Sequence, residues 1–202
     1  MEQVLIATRN IGKAAEFKQF FSRYNIQALS MMDLEQNLPD VEETGDTFEE
    51  NAALKAEEIS AKLGLPVLSD DSGLVIDALN GEPGVYSARY AGEVKNDEAN
   101  IAKVLKNLQG VPKPERTARF VCVIALATPG KETIFRKGYC EGHIANEKRG
   151  VNGFGYDPIF IPEDYEKTMA ELTAEEKNKI SHRTRAIQQF DKWIKGYKKE
   201  QI

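Results

Sequence analysis

Val4-Leu5-Ile6-Ala7-Thr8-Arg9-Asn10-Ile11-Gly12-Lys13 decides the class of the fold. Its first four residues are a short apolar strand, and beyond the polar loop Phe17, Phe20, Phe21 and Tyr24 recur at helical spacing on one side. A strand that feeds a helix through a polar loop is the opening of an α/β domain.

The rest of the chain continues that alternation. Residues 35–46 are acidic and turn-rich, and Asp46, three before Glu49, is placed to cap a helix that Gly64 ends after Leu63. Residues 66–69 and 74–79 are apolar, so Asp70-Asp71-Ser72-Gly73 between them reads as an acidic turn joining two strands. Asp97 can cap a helix running to about Leu108, and residues 119–128 and 133–144 flank Pro129-Gly130-Lys131 as a long hairpin. Thr173-Ala174-Glu175-Glu176 and Ser181 are successive helix starts, with Ala186, Phe190, Trp193 and Tyr197 as the inward stripe of the last helix. There are no internal repeats or low-complexity linkers.

Composition narrows the function. A chain of 202 residues that is 41% hydrophobic suffices for one domain over residues 1–202, or for two small lobes sharing a core. The longest apolar run, residues 120–127, is too short to cross a bilayer and reads as a strand, so no membrane partner is expected. The N-terminus lacks a basic region and a cleavage site, which points to the cytoplasm. A net charge of -5 disfavours nucleic acid as a partner. Cys122 and Cys140 lie in strand-like runs as structural thiols, and with two histidines they cannot make a zinc site, so any metal is held by oxygen.

Five groups of polar residues sit where packing does not ask for them. Lys55 falls within the stripe Phe48, Ala52, Ile59, Leu63, with Asn51 one turn before it; either the lysine snorkels to water, or the pair reaches phosphate oxygens beside the core. In the second case Lys55→Met should keep or raise stability while lowering activity. Asp70 and Asp71, joined by Glu42-Glu43, suit Mg²⁺, which takes few protein ligands and completes its shell with water and phosphate; an ordinary turn explains only one Asp and the Gly. Residues 8–13 resemble a P-loop but fail its test, since Ala7 replaces the first Gly and Ala14 the magnesium-binding Ser or Thr. A helix N-terminus and Lys13 still favour an anion there. In Asn152-Gly153-Phe154-Gly155-Tyr156-Asp157-Pro158 two glycines let a flat ligand approach and Phe154 can stack on a base, the alternative being a tight aromatic turn. Ser181-His182-Arg183 offers a guanidinium fork and a hydrogen-bond donor, or else a solvated helix end.

Taken in order, these segments resemble the noncanonical purine nucleoside-triphosphate pyrophosphatases, also called dITP/XTP or inosine triphosphate pyrophosphatases of the HAM1 family. The matching pieces are Thr8-x-Asn10-x-x-Lys13, Glu42-Glu43-Thr44-Gly45 with Phe48-x-x-Asn51-Ala52-x-x-Lys55, Ser69-Asp70-Asp71-Ser72-Gly73-Leu74, Ala88-Arg89-Tyr90-Ala91-Gly92, Gly153-Phe154-Gly155-Tyr156-Asp157-Pro158 and Ser181-His182-Arg183. The resemblance implies a long mixed sheet flanked by helices in two lobes with a central cleft, a homodimer, and cleavage between the α- and β-phosphates. It also implies substrate contacts from Thr8, Arg9, Asn10, Ile11, Gly12, Lys13, Ser72, Phe154, Gly155, Tyr156, Asp157, Lys177, His182 and Arg183. Asp71 becomes the proton acceptor and a magnesium ligand, aided by Asp70, with Glu42 and Glu43 both available as the second acidic ligand. A nucleotide-sensing module that does not cleave, and a magnesium phosphatase releasing orthophosphate, are the competing functions.

Overall fold

The computed structural model describes residues 1–34, 38 and 41–199, the side chains of the last three excepted. The expected stretch over residues 35–46 therefore lies partly outside the described residues, as does the side chain of Tyr197.

The strands are β1 (Gln3–Ile6), β2 (Gln27–Ser30), β3 (Val67–Ile76), β4 (Thr117–Ala127), β5 (Ile134–Ile144) and β6 (Phe160–Pro162). The helices are α1 (Ile11–Ser22), α2 (Phe48–Leu63), α3 (Asp97–Asn107), α4 (Ala174–Ile180) and α5 (His182–Lys199). One sheet runs in the order β2-β1-β3-β4-β5-β6. It is mixed: β1 pairs in parallel with β2 and β3, while β6 is antiparallel to β5. This is the α/β class expected from the opening strand, loop and helix. Two compact units divide the chain, the first formed by Met1–Asp71, Val123–Arg136 and the chain from Trp193 onward, the second by Ser72–Cys122 and Lys137–Lys192.

In the first unit β1, α1 and β2 form a parallel crossover. Val4, Leu5 and Ile6 are buried, as are Ala14, Phe17, Phe20 and Phe21 of α1, so the helix presents its apolar stripe to the core. Tyr24 falls beyond the helix end and is half-buried. Thr47, not Asp46, caps α2: its hydroxyl accepts from the Glu50 amide, and the Glu50 carboxylate accepts from the Thr47 amide. Gly64 ends α2 in the left-handed conformation at φ 67°.

The main departure from expectation is β3. It is a single strand of ten residues that passes straight through Asp70-Asp71-Ser72-Gly73, where a turn was expected. The Asp and Gly signals for a turn lose because β3 is hydrogen-bonded to β4 as well as to β1, whose register with it runs over Val67 and Leu68, so the strand is held from both sides as it enters this stretch. β4 and β5 are neighbours joined by a turn in which Lys131 N donates to Thr128 O, as a hairpin across Pro129-Gly130-Lys131 requires.

In the second unit Leu74, Ile76, Ile101, Val104, Leu108, Phe120, Cys140, Ile144, Ile159, Phe160 and Met169 share one buried cluster. Cys122 and Cys140 are both buried free thiols, and burial pushes the Cys140 thiol up to about 11, which keeps it protonated and inert. Asn96 rather than Asp97 caps α3, its Oδ1 accepting from Ala99 N at 3.0 Å. Thr173 caps α4 with Glu176 as its reciprocal partner, and Ser181 Oγ accepts from Thr184 N at the start of α5. The stripe of α5 is Ala186, Phe190 and Ile194, and Trp193, expected on it, is only half-buried.

Candidate active site

Residues 8–13 join the end of β1 to the start of α1. Thr8 Oγ1 accepts from Asn10 N at 3.2 Å, and Asn10 Oδ1 accepts from Lys13 N at 3.0 Å, capping α1. The Arg9 guanidinium donates to Leu38 O. No acidic residue occupies the first turn of α1, and Arg9, Asn10, Ile11 and Gly12 are exposed. The positive end of a twelve-residue helix thus faces solvent beside two cations, which suits a phosphate without any P-loop geometry.

The strand geometry of β3 changes how its two carboxylates work. Successive side chains leave a strand on opposite faces, so Asp70 and Asp71 diverge and do not crowd each other. Each face supplies a lysine. Asp70 Oδ2 pairs with Lys13 Nζ of α1 at 2.7 Å, with the Asp70 side chain 3% exposed. On the other face Ser69 Oγ donates to the carbonyl of Ala52 in α2, and that same helix carries Lys55 toward Asp71.

Lys55 neither snorkels to bulk water nor extends alone. Its Nζ donates to Glu43 Oε1 at 2.7 Å and to the Asp70 carbonyl at 2.9 Å, and its side chain is 17% exposed. Burial works against the ammonium charge, but Asp71, Glu43 and Asp70 outweigh it and hold the Lys55 pKa above its ordinary value of 10.5. Lys55 therefore joins Glu43, the Asp70 carbonyl and the charge of Asp71 at one cation, while the Asp70 carboxylate is held by Lys13. Glu42 is exposed, whereas Glu43 is the member of the pair drawn into this cluster.

Asn51 is fully buried, one turn before Lys55. Its Oδ1 accepts from Gly45 N at 2.8 Å, and its Nδ2 has no hydrogen-bond partner among the described residues. Gly45 is packed so closely on α2 that an added Cβ would stand 2.6 Å from Glu50 Cβ. The loop bearing Glu43 is thus pressed onto the first turn of the helix bearing Lys55.

The second unit holds the remaining expected residues. Ser72 is half-buried on β3. Phe154 is 60% exposed, and Lys177 Nζ lies 4.8 Å from its ring centroid. Lys177 also makes a close ion pair with Asp157 Oδ2, which accepts from Phe154 N at 2.9 Å. An ordinary tight aromatic turn would bury its ring; here Tyr156 is the buried aromatic, its hydroxyl donating to Ser87 O at 2.8 Å, and Phe154 faces solvent. Tyr156 therefore offers its backbone rather than its ring. Burial, then the neighbouring Tyr90 and Asp97, push its pKa well above the usual tyrosine value.

His182 opens α5 with its ring stacked on Phe120, centroids 5.1 Å apart and planes at 21°. Arg183 is 9% exposed, which is not the solvated helix end that its position allowed. Gly138 of β5 makes this possible and was missed in the sequence, although a lone glycine inside a strand signals close backbone approach. A Cβ there would meet His182 O at 2.1 Å and Ala186 N at 2.3 Å. Gly138→Ala should therefore destabilise the protein by about 1–3 kcal/mol, the scale of an overpacked contact, and displace His182 and Arg183. A thermal melt reads the first effect and the NMR shifts of the His182 ring the second.

The first unit thus assembles residues 8–13, Glu43, Asn51, Lys55, Asp70 and Asp71, while the second assembles residues 154–157 with Lys177 and places His182 beside Phe120. The donors around Lys55 are all oxygens, and among the described residues no group of three or more His, Cys, Asp or Glu is placed to hold a metal ion. That donor set fits Mg²⁺, which binds through one or two carboxylates and leaves the rest of its shell to water and substrate phosphate.

Residues 4–193 match the Ham1 family. The dITP/XTP pyrophosphatase of Oceanobacillus iheyensis is 61% identical over 194 residues, covering 96% of this chain and 98% of its own. That of Halalkalibacterium halodurans is 55% identical over 194 residues, covering 96% and 100%. Among solved structures, the Staphylococcus aureus Ham1 protein superposes with a TM-score of 0.90 at 49% identity, over 96% of this chain and 99% of that one.

Proposed function

This chain belongs to the Ham1 family, and we propose on that premise that it is a dITP/XTP pyrophosphatase: it hydrolyses noncanonical purine nucleoside triphosphates (ITP, dITP and XTP) to the nucleoside monophosphate and pyrophosphate. Such an activity removes these bases from the nucleotide pool before they enter DNA or RNA. The observation that carries this assignment is the pair of lysine-held carboxylates on β3, Asp70 with Lys13 and Asp71 beside Lys55 and Glu43, because a protein that only held a triphosphate would gain nothing from buried carboxylates beside its phosphate site.

The chemistry is in-line attack of water on the α-phosphorus. Asp71 accepts the proton of that water and orients it. Asp70 keeps Lys13 at the N-terminus of α1, so that the lysine ammonium and the helix amides neutralise phosphate charge together. Lys55 and Arg183 add positive charge, and the buried Asn51 Nδ2 donates to a phosphate oxygen. Asp71 and one of Glu42 and Glu43 would hold Mg²⁺, which would supply Lewis-acid polarisation of the phosphate oxygens. In the second unit Phe154 stacks on the purine, with Ser72, Tyr156, Asp157, Lys177 and His182 around the nucleotide. A donor aimed at the 6-oxo group would reject a 6-amino base, since the wrong base leaves a buried donor without a partner. The enzyme works as a homodimer in the cytoplasm; no helix among the described residues is long and apolar enough to cross a membrane.

Incubation with inosine triphosphate and Mg²⁺ tests this reading. The expected products are inosine monophosphate and pyrophosphate in equal amounts. Orthophosphate with inosine diphosphate would make the protein a phosphatase, and binding without products a sensor.

A further inference from the structure

Asp97 has no part in the chemistry assigned above, yet its carboxylate is committed to the turn that presents Phe154. It is the first residue of α3, and Asn96 already caps that helix. Asp97 Oδ2 instead accepts from Gly155 N at 2.8 Å, 58 residues along the chain. Asp157 Oδ2 accepts from the preceding amide, Phe154 N, at 2.9 Å. Two consecutive amides are therefore fixed by two carboxylates from different parts of the second unit. Gly153 and Gly155 take φ of +78° and +57°, a backbone that folds the chain tightly on either side of Phe154. A Cβ on Gly153 would stand 2.0 Å from Asp157 Oδ2, so the carboxylate lies hard against the turn. Beyond the turn, the Tyr156 hydroxyl is tied to Ser87 O. The turn is thus held by two backbone amides and one side-chain hydroxyl while the Phe154 ring among them remains 60% exposed. Holding an apolar ring rigidly in solvent does nothing for the core; it preorganises a face for a flat ligand.

We infer that Asp97 is a positioning residue for base recognition, holding the Gly155 amide so that the Phe154 ring stands where the purine stacks. The inference rests on the reading of Phe154 as the stacking residue. The alternative is that Asp97 merely favours the start of α3, as any acid in a first turn does.

Steady-state kinetics of the full chain with inosine triphosphate separate the two, using Asp97→Ala, Asp97→Ser, Asp97→Asn and Phe154→Ala. Losing the anchor should raise KM roughly tenfold in Asp97→Ala, with kcat within about twofold, the pattern of a lost binding contact. Asp97→Ser keeps a residue that suits a helix start but is too short to reach Gly155, so it should raise KM equally and serves if the alanine variant does not fold. Asp97→Asn retains an acceptor oxygen and should restore KM to near the wild-type value. Wild-type KM in folded Asp97→Ala or Asp97→Ser, beside a raised KM in Phe154→Ala, would overturn the inference and leave the stacking reading standing. A fall in kcat at constant KM, or no rescue by asparagine, would overturn it too. Wild-type KM in Phe154→Ala would instead bring down the stacking reading itself.

Discussion

Asp71→Asn lowers kcat/KM for inosine triphosphate by about 10³-fold or more, with the fold intact, because it removes in one step a proton acceptor and a metal ligand. The substitution keeps the shape of a side chain that is 9% exposed, so repacking is not required. Lys55 keeps its ion pair with Glu43 at 2.7 Å and its bond to the Asp70 carbonyl, so the neighbouring lysine stays in place. The loss should fall on kcat at saturating Mg²⁺, and calorimetric titration of Mg²⁺ should show weaker binding by the variant. Turnover within tenfold of wild type would move the proton acceptor to another residue.

Lys55→Met lowers kcat/KM by about 10²-fold, the scale of one preorganised charge removed from a phosphoryl-transfer site. Its effect on stability is the opposite of what the sequence led one to expect. A lysine stranded on an apolar stripe would be improved by methionine, but this lysine offsets the charge of Asp71 and Glu43 and binds the Asp70 carbonyl. Removing it leaves those groups without their cation and should cost about 1–3 kcal/mol, the scale of polar groups left unsatisfied. The pH dependence follows from the raised pKa. A group whose folded pKa lies above its unfolded value stabilises fully below the unfolded value and loses that contribution as pH rises through the folded one. With an ordinary value of 10.5, the melting temperatures of wild type and variant should differ by a constant amount below that pH and draw together only as pH rises past it. A variant that melts at or above wild type at neutral pH would show that Lys55 does not hold the cluster together.

Much of this arrangement is written in local sequence, and the exceptions share one cause. The opening strand, loop and helix, the Gly64 stop, the hairpin across Pro129-Gly130-Lys131 and the Thr173 and Ser181 helix starts follow from turn chemistry and periodicity, which act over a few residues. The passage of β3 through Asp70-Asp71-Ser72-Gly73 does not, because pairing with distant strands decided it against a strong local turn signal. Caps shift by one residue, to Thr47 and Asn96, since Asp and Asn or Thr compete for the same amides and only the geometry of the entering chain selects between them. The same is true of the site. That Lys55 and Asn51 were unusual could be seen from helical spacing, but that Lys55 meets Glu43 and the Asp70 carbonyl, and that the Asp70 carboxylate goes to Lys13 instead, depends on contacts 12 to 57 residues apart.

Hydrolysis of inosine triphosphate in ¹⁸O-labelled water shows which phosphorus the water attacks. Attack on the α-phosphorus puts the label in inosine monophosphate and none in pyrophosphate, as mass spectrometry of the two products would show. Label in pyrophosphate would place the attack on the β-phosphorus, and label in released orthophosphate would place it on the γ-phosphorus; either result would contradict the chemistry assigned to Asp71.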